Sequence, residues 1–172
     1  MVARMPEFTV RPVRPEEHAA LGDLTVAAYE AVPGETISPG YEDTLRDVGT
    51  RSDEADVLVA VDAAGTLLGG VTYVRGTGRY AEFESEDEAS IRMLAVSPDA
   101  QRCGVGRRLV QECIDRATAA GKARIILHTT EAMHAAQSLY GSLGFERAPG
   151  RDLMVQPSMR LIGYVLELTP AR

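Results

Sequence analysis

The sequence lacks the features that mark several large classes of protein. It has no tryptophan and only two cysteines, Cys103 and Cys113, which lie in a loop followed by a helix and suggest neither a disulfide framework nor a metal cluster. No apolar run approaches the roughly 18 residues that a membrane span needs, and the amino terminus shows no signal-peptide pattern. These absences predict a cytoplasmic protein with no metal site and no membrane span. The length predicts a single domain over residues 1–172.

Positive charge is also scarce. The chain has 18 Lys and Arg residues against 25 Asp and Glu residues, which gives a formal charge of −7. Nucleic-acid binders neutralise phosphates with an excess of Lys and Arg, and no basic stripe is present here. The composition therefore excludes nucleic acid as an expected partner and favours neutral or positively charged ones.

The pattern of apolar residues predicts a mixture of strands and helices. Strands are predicted at 8–13, 57–61, 67–74, 91–96, 125–129 and 161–168, and helices at 15–31, 41–48, from about 104 to a glycine cap at 121, and at 132–142. The strands at 57–74 read as an antiparallel hairpin, whereas the alternation of strand and helix in the second half is typical of parallel pairing. The predicted fold class is therefore α/β (α+β mixed), with one mixed sheet flanked by helices.

One short segment carries most of the functional information. Gln101 to Gly106 follows a predicted strand and opens a predicted helix, whose first N–H groups lack partners and whose dipole favours an anion. Gly104 and Gly106 would let the main chain approach phosphate oxygens closely, and Arg102, Arg107 and Arg108 add positive charge. The segment predicts a pyrophosphate site, although a pair of glycines before a surface helix is common without any ligand.

Two other phosphate-binding loops are excluded by the residues present. A nucleoside-triphosphate loop needs Gly-Lys followed by Ser or Thr, which is absent. A dinucleotide fingerprint needs a third glycine where Leu109 stands and a carboxylate about 20 residues later, where the chain has 125–128 without one. A dinucleotide-dependent oxidoreductase is therefore not favoured.

The segment resembles the signature of the GNAT superfamily of N-acetyltransferases, Arg/Gln-x-x-Gly-x-Gly/Ala between a strand and a helix. The resemblance continues in Ala136, Leu139, Tyr140, Gly144 and Phe145, which are similar to the family's Ala-x-x-Leu-Tyr-x-x-x-Gly-Phe segment. It covers residues 91–148 by motif and the rest of the chain by the order of elements. Two motifs in the correct order are more specific than either alone.

The resemblance implies a mostly antiparallel sheet with a central parallel pair of strands that splay apart, and acetyl-CoA as the cosubstrate between them. By analogy, the main chain at Leu94, Ala95 and Val96 would pair with the pantetheine arm. The pyrophosphate would be held by Gln101, Arg102, Cys103, Gly104, Val105, Gly106 and Arg107. Met133 and Tyr140 stand at further cofactor positions, but Met133 replaces an asparagine that the family often has and cannot make its hydrogen bonds.

The resemblance also implies the catalytic groups. An amine with a pKa near 10 is only about 0.1% neutral at pH 7, so a base or a water relay is needed. Tyr140 matches the family tyrosine that protonates the leaving thiolate. The glutamate that many members use aligns with Ser90, which leaves two alternatives for the base: Glu88, on the same strand face, and His128, with its suitable ordinary pKa. Both can equally be residues without a catalytic role.

The expected function is transfer of an acetyl group to a primary amine of a small molecule or a peptide. The alternative is a regulatory module that binds CoA without chemistry, because the asparagine and the glutamate are missing. The acidic loop at 75–90 is expected to stay outside the core and to line the acceptor entrance, where it would attract a cationic amine. The alternation at 161–168 also permits a homodimer formed through that strand.

Overall fold

The computed structural model describes residues 7–169, in which one sheet is covered on both faces by helices. The strands are β1 (Phe8–Pro12), β2 (Asp56–Asp62), β3 (Leu67–Val74), β4 (Glu88–Val96), β5 (Arg124–Thr129), β6 (Glu146–Arg147), β7 (Leu153–Gln156) and β8 (Met159–Glu167). The helices are α1 (His18–Glu30), α2 (Pro39–Arg46), α3 (Val48–Glu54), α4 (Val105–Ala119) and α5 (His134–Ser142), with short 3-10 turns at Pro15–Glu17, Pro98–Ala100 and Pro149–Arg151.

The sheet has the order β1-β2-β3-β4-β5-β8-β6, with β7 paired to β8. β4 and β5 run parallel, and the other recorded pairs are antiparallel. The order places β8 beside β5, so the last long strand of the chain lies inside the sheet and not at its end. The predicted fold class, a mixed and mostly antiparallel sheet with one parallel pair, is confirmed.

Each face of the sheet has its own apolar core. On one face α4 packs against the strands, and its side chains Leu109, Val110 and Cys113 are fully buried. On the other face α1, α2 and α3 contribute Leu21, Leu45 and Val48 to separate clusters. Burying such aliphatic side chains contributes about 1.5–3 kcal/mol each, so the two cores supply most of the stabilisation of the sheet.

Several element boundaries differ from those expected from the sequence. The single helix predicted at 41–48 is two helices, because Asp47 leaves the helical conformation and its carboxylate accepts a hydrogen bond from the N–H of Thr50 at 3.1 Å, which starts α3. The short strands β6 and β7 were not expected. Both pair with β8, and their own residues show no local pattern that predicts a strand.

The acidic loop between β3 and β4 is closer to the core than expected. Tyr80 is 6% exposed and packs against Ala55 and Val74, and the side chain of Glu82 is 19% exposed. The expectation that this loop stays outside the core is therefore wrong for its first half, because an aromatic residue anchors it to the sheet. Within residues 7–169, no helix combines the length and the apolar character that crossing a membrane would require.

Candidate active site

The parallel strands β4 and β5 separate in the middle of the sheet. Their pairing runs from Glu88 with Arg124 to Ile91 with Leu127 and then ends. Two residues further, Met93 has a φ of 54°, and the register between β3 and β4 shifts at the same place. A bulge of this kind bends a strand and re-aims its neighbours. It leaves the segment 94–96 paired to β3 on one side and open to a gap on the other.

A helix begins beside this gap. Gly104 caps α4 with a φ of 78°, in the left-handed region that a side chain disfavours, and α4 starts at Val105. The N–H groups of the first helical turn have no acceptor within the helix and carry the positive end of its dipole. A Cβ added at Gly106 would lie 3.2 Å from Leu139 Cδ2 and 3.5 Å from Val96 Cγ2, so the missing side chain leaves space against α5.

The gap and the helix start form a first cavity of about 620 Å³. Ten of the twelve residues predicted to hold the cofactor line it: Leu94, Ala95, Val96, Gln101, Arg102, Gly104, Val105, Gly106, Arg107 and Met133. The structure therefore brings together residues from the end of β4, the turn, α4 and the start of α5. Another part of the wall comes from Tyr29 at the end of α1 and from Val32 just after it, and no motif in the sequence pointed to these two residues.

The other two predicted cofactor residues lie beside this cavity and not among its lining residues. Cys103 packs against the core below α4, and its thiol donates to the carbonyl of Gln101 at 3.6 Å. Tyr140 is 5% exposed and packs between the rings of Phe145 and Tyr164, with centroids 5.8 and 6.2 Å away. Burial raises the pKa of Tyr140 well above its usual value, so its hydroxyl stays protonated.

The charge of the first cavity is positive. Arg102 and Arg107 line it, and no acidic side chain does so among the described residues. Arg107 also donates to the hydroxyl of Ser142 at 2.7 Å, which ties α4 to α5. Arg108, the next residue, pairs with Glu112 along the helix instead. In a chain with a net negative charge, this local arrangement favours a multiply charged anion at the start of α4.

A second cavity of about 620 Å³ lies on the side of the sheet covered by α1 and α2. Its lining is more polar and includes Glu35, Tyr41, Glu82, Arg92 and His128, together with Met93, Met159 and Leu161. The acidic loop contributes only Glu82 to the residues that line it. With two acidic and two basic groups in this set, the lining is close to electrically balanced. This balance gives no support to the expectation that the acidic loop attracts a cationic amine by charge.

The two cavities share Tyr29 and Met133, so they meet at these side chains. The ring of Tyr29 stands edge-on to that of Tyr41, with centroids 6.4 Å apart. Burial raises the pKa of Tyr29 well above its usual value, and charge interactions with Tyr41 and Tyr140 act in the same direction. Tyr29 was not identified from the sequence, because an aromatic residue in the apolar stripe of a helix normally belongs to the core.

Glu88, one of the two residues considered as the base, is engaged elsewhere. It is 7% exposed and accepts hydrogen bonds from Arg124 at 3.0 Å and from Arg151 at 2.6 Å. Burial acts to raise the pKa of Glu88, but the hydrogen bonds and charges of these arginines outweigh it and lower the pKa below its usual value. Glu88 is also absent from the residues that line either cavity. The structure therefore places it in an ion-pair cluster and not at the meeting point.

His128, the other candidate for the base, does line the second cavity. Its side chain is 3% exposed, its Nδ1 is in contact with the carboxylate of Glu82, and its Nε2 lies 2.7 Å from the carbonyl oxygen of Arg151. Nε2 therefore has a hydrogen-bond partner, and Nδ1 has an ion-pair contact without an aligned hydrogen bond. Within residues 7–169, no group of three or more His, Cys, Asp or Glu side chains is arranged to hold a metal ion.

The chain matches one protein-family model and several curated N-acetyltransferases. Residues 14–145 match the model described as "Acetyltransferase (GNAT) family". The [Ribosomal protein bS18]-alanine N-acetyltransferase of Escherichia coli K12 is 44% identical over 62 residues, and the Salmonella typhimurium LT2 enzyme of the same name is 42% identical over 62 residues. These segments span 36% of this chain and 42% of each enzyme. The chain therefore spans less than half the length of these curated relatives.

Solved structures match over almost the whole chain. A GNAT-family acetyltransferase of Staphylococcus aureus Mu50 superposes with a TM-score of 0.77 at 14% identity, over 95% of this chain and all of that one. The yncA protein of Salmonella typhimurium, solved with acetyl-CoA, gives 0.68 at 22% identity over 94% of both chains. The E. coli ribosomal-protein-S18-alanine N-acetyltransferase gives 0.66 at 21% identity, over 96% and 97%. At these identities the superpositions show a common fold.

Proposed function

The chain belongs to the acetyltransferase (GNAT) family, and on that premise we propose that it is an N-acetyltransferase that moves an acetyl group from acetyl-CoA to a primary amine. The observation that carries the proposal is the meeting of two cavities at Tyr29 and Met133. One cavity ends at a helix start suited to phosphate, and the other has room for an acceptor. A binding module would need only the first of them.

The residues present fit acetyl-CoA. The start of α4, with Arg102 and Arg107, would hold the pyrophosphate, and the open edge of 94–96 would pair with the amides of the pantetheine arm. The space left by Gly106 against Leu139 would admit the phosphates next to the helix. When bound, acetyl-CoA supplies an activated acetyl group and a thiolate leaving group. The chain itself must orient the amine, accept its proton and return a proton to the thiolate.

Two tyrosines are the candidates for returning that proton. Tyr140 is the donor implied by the family motif, and Tyr29 is the tyrosine that lines both cavities. Burial keeps the hydroxyls of both tyrosines protonated. The assignment of Tyr140 stays a prediction, and Tyr29 is the alternative that the geometry adds.

The base is proposed from the carboxylates of the second cavity. Glu35 and Glu82 both line it, and Glu35 accepts a hydrogen bond from the hydroxyl of Thr130. Glu35 can take the proton of the amine directly or through water, and Glu82 is the second candidate although it is paired with His128 and Arg92. The Nε2 of His128 is bonded to the carbonyl of Arg151, and its Nδ1 faces Glu82. Rate profiles against pH for the Glu35→Gln and Glu82→Gln variants distinguish the two carboxylates. The variant whose kcat falls about 100-fold or more across the pH range has lost the group that accepts the proton.

The acceptor is proposed to have an apolar part beside its amine. Met93, Met133 and Met159 line the second cavity, and unbranched methionine side chains adapt to varied apolar groups. A curated relative is named for an alanine of ribosomal protein bS18. A peptide that begins with alanine therefore belongs in any panel of acceptors, together with amino acids and polyamines.

The function is tested by calorimetry with CoA followed by thiol release from acetyl-CoA with that panel of amines. The proposal expects CoA to bind and at least one amine to accelerate thiol release above the rate of hydrolysis. Binding of CoA without turnover on any amine would favour the regulatory module. No binding of CoA would overturn both the enzyme and the module.

A further inference from the structure

His128 lies near the end of β5 with both ring nitrogens close to acceptor oxygens. Nε2 is 2.7 Å from the carbonyl oxygen of Arg151, and Nδ1 is in contact with a carboxylate oxygen of Glu82. A neutral imidazole has one N–H donor and one bare nitrogen, so it can satisfy only one of these two acceptors. The doubly protonated ring satisfies both. With 3% of the side chain exposed, little water reaches the ring to replace a missing bond.

The two partners of His128 belong to separate segments of the chain. Glu82 comes from the loop between β3 and β4, and Arg151 ends the 3-10 turn Pro149–Arg151. The ring of Phe83 lies 6.0 Å from that of His128, and the guanidinium of Arg151 lies 5.3 Å from the centroid of Phe83. The imidazole is therefore a point at which both segments meet over the end of β5.

The turn that presents the Arg151 carbonyl is itself held firmly. Arg147 donates two hydrogen bonds to Asp152, at 2.6 and 2.7 Å, and Asp152 accepts another from the N–H of Gly163. The hydrogen bonds of Arg147 and the Gly163 N–H lower the pKa of Asp152 to about 2. The acceptor for Nε2 is thus already in place. The other acceptor, Glu82, depends on how the loop between β3 and β4 lies against the cavity.

The charged groups around His128 favour its protonated form. Burial acts to lower the pKa of His128, but the hydrogen bond and charge of Glu82 outweigh it, and the Arg151 carbonyl and Asp152 add to the same effect, so the pKa lies above its usual value of 6.5. The nearby arginines are engaged with acids: Arg151 and Arg124 with Glu88, and Arg92 with Glu82 at 3.7 Å.

We propose that His128 is an imidazolium at neutral pH and acts as a positioning residue, which holds Glu82 in the wall of the second cavity, and that it does not act as a base. Protonated at both nitrogens, the ring has no lone pair with which to accept a proton from an amine. Loss of its proton breaks one of the two contacts. The loop then releases Glu82, and the shape and charge of the second cavity change while the first cavity stays as it is.

The protonation state is measured directly by NMR of the imidazole nitrogens in the tag-free protein. The chain has three histidines, and His134, which is exposed on α5, serves as an internal reference. The proposal expects both nitrogens of His128 to carry protons at pH 7. A His128 ring with one unprotonated nitrogen at pH 7 would overturn the proposal. This measurement needs no substrate and stands whether or not the proposed function is correct.

The consequence for acceptor binding rests on the proposed function and is tested by kinetics. Glu82→Gln keeps the size of the side chain but removes the charge, and we expect the midpoint of His128 titration to fall and the acceptor KM to rise about 5- to 10-fold. The KM for acetyl-CoA should stay within about twofold, because the first cavity contains neither residue. Glu84→Gln, an exposed acid two residues along the same loop, is the matched control and should change neither value.

The pH dependence separates positioning from base catalysis. A positioning cation predicts that the acceptor KM, expressed for the neutral amine, rises as pH increases through the His128 titration measured by NMR. A base at His128 predicts instead that kcat increases through the same titration while this KM stays constant. The second outcome would overturn the proposal. In the His128→Gln variant, the pH dependence of the acceptor KM should disappear and its value should equal the high-pH value of the parent protein.

Discussion

The two cavities have about the same volume but are built in different ways. The first is bounded by main chain, glycines and short aliphatic side chains from the end of β4, the start of α4 and α5, with α1 closing one side. The second is bounded by tyrosines, methionines and charged side chains from several distant segments. A site built from main chain near one turn leaves a pattern in the sequence. A site built from side chains that meet across the fold does not.

The largest expected effect tests which tyrosine protonates the leaving thiolate. Tyr140→Phe should lower kcat about 100-fold if its hydroxyl protonates the leaving thiolate, because general acid catalysis typically contributes that much or more. Tyr29→Phe is the matched change in the tyrosine shared by both cavities. Steady-state kinetics on both variants decide between the two tyrosines. A loss of rate in Tyr29→Phe alone would mean that Tyr29, and not Tyr140, is the proton donor.

The next effect tests whether the first cavity depends on its main chain. A valine at position 106 would collide with Leu139 and Val96, so Gly106→Val should weaken acetyl-CoA binding about 10- to 100-fold, or about 1.4–2.7 kcal/mol. Gly141→Val is the control, because a Cβ there meets nothing within 4 Å. Calorimetry with CoA gives the comparison. Equal affinities for the two variants would mean that phosphates do not lie against the start of α4.

A third prediction concerns Glu88, which the structure assigns to an ion-pair cluster outside both cavities. Glu88→Gln should reduce the free energy of unfolding by about 1.5–3 kcal/mol, the usual range for hydrogen bonds to charged groups, and leave kcat within about twofold. Because the arginines lower the pKa of Glu88, its contribution is present above the usual value of 4.5 and is lost as pH falls below it. Urea unfolding at pH 7 and pH 4 should therefore show a smaller difference in the variant.

The opposite result for Glu88 would be informative as well. If the variant kept its stability while its kcat fell at least about 100-fold, Glu88 would be the base that the family resemblance allowed. The second cavity would then extend past the ion pairs with Arg124 and Arg151.

A smaller effect tests the charge of the first cavity. Arg107→Ala should weaken acetyl-CoA binding about two- to fivefold, because one exposed charge near a helix start contributes about 0.3–1 kcal/mol. The effect should decrease at high salt. Arg108→Ala is the control, because it removes the same charge from the next residue. Arg108 pairs with Glu112 and lines neither cavity. Equal losses in both variants would show that the whole helix end attracts the phosphates without a specific contact.

The smallest effect concerns the apolar rim of the second cavity. Val155 lines this cavity, whereas its neighbour Met154 is more exposed and does not. Val155→Ser should raise the acceptor KM about two- to threefold for an acceptor with an apolar part, and Met154→Ser should leave it unchanged. If both variants behave alike, β7 does not contact the acceptor.

The pattern of apolar residues predicted most elements of the fold, but not every boundary. β4 begins at Glu88 rather than at Ile91, since pairing with β5 extends it through polar residues that look like loop in the sequence. β6 and β7 went unpredicted because a two-residue strand and a strand with an exposed face depend on the strand beside them. Short elements of this kind carry too few residues to show a period of their own.

The sequence by itself determined the family and predicted a phosphate site at the turn before α4, because Gln101, Gly104 and Gly106 would act through the conformation and close approach of their own main chain. Only the tertiary structure decided the second cavity. Tyr29 enters it from α1, and Glu82 and His128 meet there although the chain between them includes a strand, a helix and most of another strand. Contacts between side chains so far apart depend on the packing of the whole sheet, and no local pattern encodes them.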